Sequence, residues 1–393
     1  MQVEPFKIAV SDAALRDLAD RLSRTRWPDQ LNAIGWEQGT ERSYLENLVR
    51  YWQTGFNWRA QEAALSRFSQ FRATIGDQQI HFVHERAKSG KGMPLIITHG
   101  WPGSFIEMLK IIPMLSDPEK HGGNREDAFD VIVPSLPGYG FSSAPRRAGM
   151  DTFAIARLWA ELMAGLGYQR FAAQGGDWGA SVATCLGFLF PDLVIGLHLN
   201  RIPGSFQPPQ GRAGHDLTAE ESAFVAARDN WFDSEGAYFF IQATKPQSLA
   251  YALNDSPTGL AAWIVEKFRT WSDCEGDVER VFTKNDLLTN ISIYWFTQSM
   301  PSAMRLYWEN RRRPLRFAPG ERVRVPCAVA LFPKEIVMPP RSWVERVYNV
   351  QRWTHMPKGG HFAAFEQPEL LAQDVRVFFR SLQSTDAQAA RAT

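Results

Sequence analysis

Gln174-Gly175-Gly176-Asp177-Trp178-Gly179-Ala180 is the stretch on which the fold turns. An apolar run at 170–174 leads into it and a helical pattern at 180–190 leads out. Small residues stand two positions to either side of Asp177, as a strained strand-to-helix turn requires if the central side chain is to stand exposed above a sheet. A carboxylate in that seat attacks a saturated carbon by displacement and becomes an alkyl ester, whereas a serine would be acylated. The competing account is an ordinary Gly-Gly-Asp turn.

Outward from the turn, apolar runs at 94–98, 130–134, 170–174, 196–199 and 325–332 alternate with helical stretches at 105–115, 152–166 and 180–190. This alternation predicts a mostly parallel sheet flanked by helices, and the turn around Asp177 resembles the nucleophile elbow, G-x-Nu-x-G, of the α/β-hydrolase fold, with Asp where esterases have Ser. His99-Gly100-Trp101-Pro102-Gly103-Ser104 follows one such strand. In that fold the corresponding loop supplies one oxyanion donor, here the Trp101 amide, and the residue after the nucleophile supplies the other, here Trp178. Pro102 could set the loop as a cis peptide. The fold orders its triad as nucleophile, acid, histidine, which directs attention to Gly359-Gly360-His361-Phe362 and, upstream, to Phe332-Pro333-Lys334-Glu335. Glu335, just beyond a strand, would hold the ring of His361, which would deprotonate the hydrolytic water. Glu366 is the competing acid, but it reads as a first-turn helix charge.

The rest of the chain frames this core. Residues 1–93 read as an amphipathic helical extension: Ser11 caps a helix carrying Leu15, Leu18 and Leu22, a second helix spans about 41–52, and a strand spans 79–85. The core occupies 94–204 and 316–383. Between them, 205–315 is a helical lid that opens on a Gly/Pro-rich loop at 203–214. A helix at 368–382 closes the fold, and 384–393 is expected to fray.

Composition narrows the function. Lys plus Arg total 43 against 42 for Asp plus Glu, a formal charge of +1, so no global field steers the chain to nucleic acid or anionic lipid. Three scattered cysteines suggest neither a disulfide framework nor a zinc site, and they point to a reducing compartment. No apolar stretch has the length of a membrane span, and the amino terminus has no apolar core of the kind a secretory signal needs. A cytoplasmic protein that contacts no membrane is expected. The oligomeric state stays open, with a homodimer one option. His81 and His84 read as surface histidines, Gly138-Tyr139-Gly140 as a turn lining the pocket, and Arg311–Arg313 as a solvated charge run.

Four motifs together resemble epoxide hydrolases of the microsomal type: HGWPGS at 99–104, GGDWG at 175–179, FPKE at 332–335 and GGHFAAFEQPELLAQDVRVFF at 359–379. The likeness also covers residues 6–28 and the lid segments IQATKP, LNDSP and DLLTN. The resemblance implies two lid tyrosines, matching Tyr238 and Tyr307, that hold and protonate the epoxide oxygen. It also implies Asp177 as nucleophile, His361 as base, Glu335 as acid, and no metal or organic cofactor. The implied partners are water and a small apolar epoxide, in keeping with a lid rich in Trp231, Phe232, Phe239, Phe240, Trp263 and Trp295. Membrane-bound relatives carry an amino-terminal anchor; this chain starts at the helical segment, so a microsomal location is not expected. Two other readings stand beside this one. A haloalkane or haloacid dehalogenase would use the same Asp–His–acid chemistry, and a non-catalytic binder of lipophilic ligands would keep only the fold.

Overall fold

The computed structural model describes residues 1–203 and 217–392, with side chains to 383. The expected loop at 203–214 therefore lies, from 204 on, outside the described residues. Nine strands are described: β1 (Gln2–Pro5), β2 (Gln70–Ile75), β3 (Gln78–Glu85), β4 (Met93–Thr98), β5 (Phe129–Pro134), β6 (Phe171–Gly175), β7 (Val194–Leu199), β8 (Val323–Leu331) and β9 (Tyr348–His355). They form one sheet in the order β1-β2-β3-β5-β4-β6-β7-β8-β9. The pairings β1–β2, β2–β3 and β3–β5 are antiparallel. All five others are parallel. Every residue of β5 and β6 is buried, as parallel strands covered by helices on both faces require. The expected mostly parallel sheet with flanking helices is borne out.

The extension is not only helical, because β1, β2 and β3 add an antiparallel edge to the sheet. Its first helix, Asp12–Ser23, is capped by the Ser11 hydroxyl, which accepts from Ala14 N, and it buries Leu18 and Leu22. The helix expected at 105–115 is broken into a 3₁₀ turn, Phe105–Met108, and a helix, Ile111–Ser116. Pro113 explains the break. In a continuous helix it would remove a bond and clash with Leu109, whereas at the third position of a new helix its missing N–H costs nothing. At the other end the closing helix runs Pro368–Ala392, past the expected limit at 382.

Among the described residues six α-helices of the lid lie between β7 and β8: Ala219–Glu235, Ala237–Thr244, Pro246–Leu253, Pro257–Trp271, Lys284–Thr297 and Met300–Arg312. The extension straps them down. Arg21 Nη1 donates to the Asp255 carbonyl at 2.8 Å, the Thr25 and Thr258 hydroxyls meet at 2.7 Å, Thr40 Oγ1 donates to Ala262 O at 2.7 Å, and the Tyr51 hydroxyl donates to Asn285 Oδ1 at 3.1 Å.

Strand order places the site. The chain moves outward from β4 in one direction to β5 and in the other to β6, so a crevice opens at the carboxyl ends of β4 and β6. Thr98, the last residue of β4, is in register with Gly175, the last of β6. The two loops that leave these strands carry HGWPGS and the Asp177 turn.

Candidate active site

Asp177 opens the helix Asp177–Leu189 directly after β6 and has φ 46°, a left-handed value that a non-glycine residue adopts only when its surroundings hold it there. Its flanking glycines are required by close approach. A Cβ on Gly175 would lie 2.3 Å from the Gly179 backbone, and one on Gly179 would lie 1.9 Å from Thr98 O. The sharp turn expected from the sequence is thus present, and the ordinary-turn account fails.

The neighbouring loop reaches the carboxylate. Trp101 N donates to Asp177 Oδ1 at 2.9 Å, and the Trp101–Pro102 peptide is cis. Trp178 N–H belongs to the first turn of the helix, where backbone donors have no partner within the helix. The lid holds this loop from above: Asn290 Nδ2 donates to Pro102 O at 2.8 Å and the Tyr294 hydroxyl to Gly103 O at 2.7 Å. His99 is buried and structural. Burial lowers its pKa to about 4, and its Nε2 accepts from Leu136 N.

His361 and Glu335 converge on Asp177 from late in the chain. His361 Nε2 stands 3.5 Å from Asp177 Oδ2, and its Nδ1 lies 2.7 Å from Glu335 Oε1. Burial alone would depress the imidazolium, but Glu335 and Asp177 outweigh it and raise its pKa to about 10. Burial likewise works against charge on both carboxyls, and here the positive groups win. His361 and Arg201 hold Glu335 below the usual range; His361, Arg201 and the Trp101 amide do the same for Asp177.

Arg201 was not singled out from the sequence. It follows β7 by two residues, and its Nη1 donates to Glu335 Oε1 at 2.6 Å, the same oxygen that faces His361. No local pattern marks such a residue; only the adjacency of β7 and β8 brings it to the acid. Glu366 is not an ordinary first-turn charge. Its carboxylate accepts from Asp273 N, Gly360 N and Phe362 N at 2.8–3.0 Å, which fixes the histidine loop against the end of a lid helix.

Tyr238 and Tyr307 come from two lid helices and are both buried. The Tyr238 ring stacks on Trp101 with centroids 5.2 Å apart, and the Tyr307 ring meets Trp178 edge-on at 4.8 Å. Burial and the Asp177 charge hold both phenols protonated well above their ordinary value. With Asp177, Trp178, Trp231, Phe232 and Phe239 they line a cavity of about 320 Å³.

Several expectations need correction. Phe240 is exposed, Trp263 donates to Gln242 Oε1, and Trp295 lies under Arg21, so half of the lid aromatics expected at the pocket are elsewhere. The Tyr139 hydroxyl donates to Ala303 O, so that turn fastens a lid helix instead of lining the cavity. His81 and His84 are buried, not surface groups. The His81 ring is pinned between Ser135 and Gln70 and lowered by burial to about 3, while His84 meets the Tyr168 hydroxyl. The basic run is not simply solvated: Arg311 reaches the wall of the cavity, Arg313 pairs with Asp151 and Arg312 lies over Trp308. Among the described residues no helix is long and apolar enough to cross a membrane.

Comparison with known proteins agrees with the fold. Residues 3–108 match the family described as "Epoxide hydrolase N terminus", and residues 93–272 match the alpha/beta hydrolase fold. Rabbit (Oryctolagus cuniculus) epoxide hydrolase 1 is 41% identical, with 96% of this chain and 88% of that protein covered. The crystal structure of juvenile hormone epoxide hydrolase from the silkworm Bombyx mori superposes with a TM-score of 0.84 at 31% identity, covering 98% of this chain and 94% of that one. Aspergillus niger epoxide hydrolase gives a TM-score of 0.84 at 30% identity, covering 97% of each. The chain belongs to the epoxide hydrolase family, on the α/β-hydrolase fold.

Proposed function

We propose that this epoxide hydrolase acts on apolar epoxides through an ester on Asp177. The observation that carries the reading is one carboxylate, on a strained turn, facing both an imidazole at 3.5 Å and a cavity that holds two protonated phenols. An Asp177 oxygen forms a bond to an epoxide carbon, the ring C–O bond breaks, and the departing oxygen takes a proton from Tyr238 or Tyr307. A strained ether leaves readily only when its oxygen is so relieved.

The change of charge then prepares the second step. In the resting site two carboxylates hold the proton on His361. Esterification removes the charge of one, so His361 gives up its proton, which restores the phenol, and the ring becomes a base. Water attacks the carboxyl carbon of Asp177 and passes one proton to His361. The Trp101 and Trp178 amides hold the tetrahedral oxyanion. As the ester bond breaks, the departing alkoxide takes the remaining proton, leaving a vicinal diol, the Asp177 carboxylate and a protonated His361. Glu335, itself held by Arg201, orients the ring and balances its charge.

The aromatic part of the wall (Trp178, Trp231, Phe232 and Phe239) supports an apolar substrate, with Arg311 and Arg316 also reaching the cavity, and three buried, unbridged thiols support a reducing compartment such as the cytoplasm. The dehalogenase reading loses ground, because the lid presents two phenols to the cavity above Asp177. A single turnover in heavy-oxygen water tests the mechanism. Label should enter the Asp177 carboxylate and leave the first diol unlabelled; label in that diol would mean direct attack by water.

A further inference from the structure

We propose that Glu107 holds the water that cleaves the Asp177 ester, on the face of Asp177 opposite the substrate. This rests on the ester mechanism above and adds a residue that it does not use. Glu107 lies in the 3₁₀ turn Phe105–Met108, is 7% exposed, and has buried apolar neighbours in Phe105, Ile106 and Met108. It makes no ion pair among the described residues. A carboxyl group in such a place is costly unless it is neutral or bound to something polar.

The space in front of it is small, with polar groups on one part of its wall and Met108, Phe362, Ala363 and Ala364 on the rest. Glu107, Asp177, His361, Asn200, Gly176 and Trp101 help line a cavity of about 10 Å³. A single buried water needs roughly that volume and two to four polar partners. Asp177 is the one residue that this cavity shares with the 320 Å³ cavity. Substrate therefore meets the carboxylate from one side, and a water in the small cavity meets its carbon from the other.

The surrounding backbone is arranged to admit these side chains. A Cβ on Gly103 would fall 1.4 Å from Glu107 Oε1, so the glycine of HGWPGS is what lets this carboxyl take its place. Asn200 is oriented by Gln174, whose Nε2 donates to Asn200 Oδ1 at 2.8 Å, leaving the amide NH₂ free to donate. Burial, with Asp177 and Glu366 adding to it and His361 and the Ser104 amide opposing, pushes Glu107 up to about 8. At neutral pH it is mainly a protonated carboxyl, which can both accept and donate. One proton of the water points to His361 Nε2 and the other to the Glu107 carbonyl oxygen. Glu107 transfers no proton; it fixes the approach of the oxygen to the ester carbon.

Glu107→Leu, Glu107→Gln and Glu107→Asp, followed by rapid quench and intact mass in single turnovers of styrene oxide, separate ester formation from ester hydrolysis. Loss of water positioning should slow hydrolysis in the Leu variant by about 100-fold, with ester formation unchanged within about threefold and ester visible on the protein. The Gln variant, which resembles the protonated acid, should keep hydrolysis within about threefold of wild type at pH 7, and the shorter Asp variant should lose ~10-fold. If the Leu variant does not fold, the Asp and Gln variants decide alone. Equal slowing of both steps, no slowing, or a Gln variant as slow as Leu or slower than Asp would overturn the assignment. Absence of ester on the wild-type protein would instead remove the mechanism on which it rests.

Discussion

Replacing Glu335 by Gln separates the charge of the triad acid from its shape. The Glu335 side chain is fully buried, and its Oε1 faces His361 Nδ1 at 2.7 Å, Arg201 Nη1 at 2.6 Å and Ile336 N at 2.7 Å. A unit charge pair about 4 Å apart in partly screened protein is worth ~4 kcal/mol. At about 1.4 kcal/mol per pKa unit this is roughly three units on the imidazolium, enough to bring it from about 10 to near 7. The Gln carbonyl still accepts from Nδ1–H, so the ring keeps its tautomer and orientation. What it loses is stabilisation of the charge that forms as water attacks. General-base assistance contributes ~10²–10⁴-fold, so ester hydrolysis should slow by at least about 100-fold while ester formation falls by less than about tenfold. Rapid-quench mass spectrometry of the intact protein should show the alkylated enzyme as the dominant steady-state species. Arg201 is left with its charge unmatched in a largely buried place, so urea denaturation should also report ~3–5 kcal/mol less stability, a loss to be measured before the kinetics are read. Hydrolysis within about threefold of wild type in folded protein would refute the idea that the charge, and not merely the hydrogen bond, drives this step.

Two more predictions test the phenols and the acid stability of the fold. Tyr238→Phe and Tyr307→Phe should each slow ester formation by about 10–100-fold and together by ~10³-fold or more, measured as the first-turnover alkylation rate; a double variant with wild-type alkylation would return the dehalogenase reading to contention. Asp374 is buried and accepts from His198 Nε2, Arg352 Nε and Thr354 Oγ1 at 2.8–3.0 Å; burial opposes its charge, but His198 and Arg352 outweigh it and depress its pKa. A depressed carboxylate stabilises the fold above its unfolded value near 3.9, and that contribution fades as pH falls toward the folded value. Asp374→Asn should therefore lower stability by about 3 kcal/mol at pH 7 and by about 1 kcal/mol less than that at pH 3, read from urea midpoints, and an equal loss at both would contradict the linkage.

The parts of the site legible in the sequence are those that local geometry enforces. Gly175 and Gly179 are required by backbone contacts within a few ångströms, so they mark the turn whatever the rest of the chain does. The order Asp177, Glu335, His361 follows from sheet order, and the distances bring these three together as that order implies. The tyrosines were reachable only through family resemblance, because a phenol on a lid helix has the same local pattern as a packing residue. Arg201 and Glu107 left no trace, since each gains its meaning from a loop far along the chain, 134 residues away for Arg201 and about 70 for Glu107. Among the strands, β1 was invisible because all four residues are exposed and show no alternation. The β2–β3 hairpin did leave a signal, Gly76-Asp77 between two mixed apolar runs, with Gly76 at φ 58°.

The bonds from residues 21–51 fall on lid backbone and lid side chains, while the carboxylate and imidazole stand on loops that leave the sheet. The lid helices beside the chamber that receives the epoxide are thus tied down in part by a stretch of chain that touches none of the reacting groups. Substitutions there can tilt the phenols and resize the chamber without disturbing the bond-making machinery. An engineer seeking altered substrate range or enantiopreference has in this strap a second set of adjustable positions, far from the chemistry and free of its constraints.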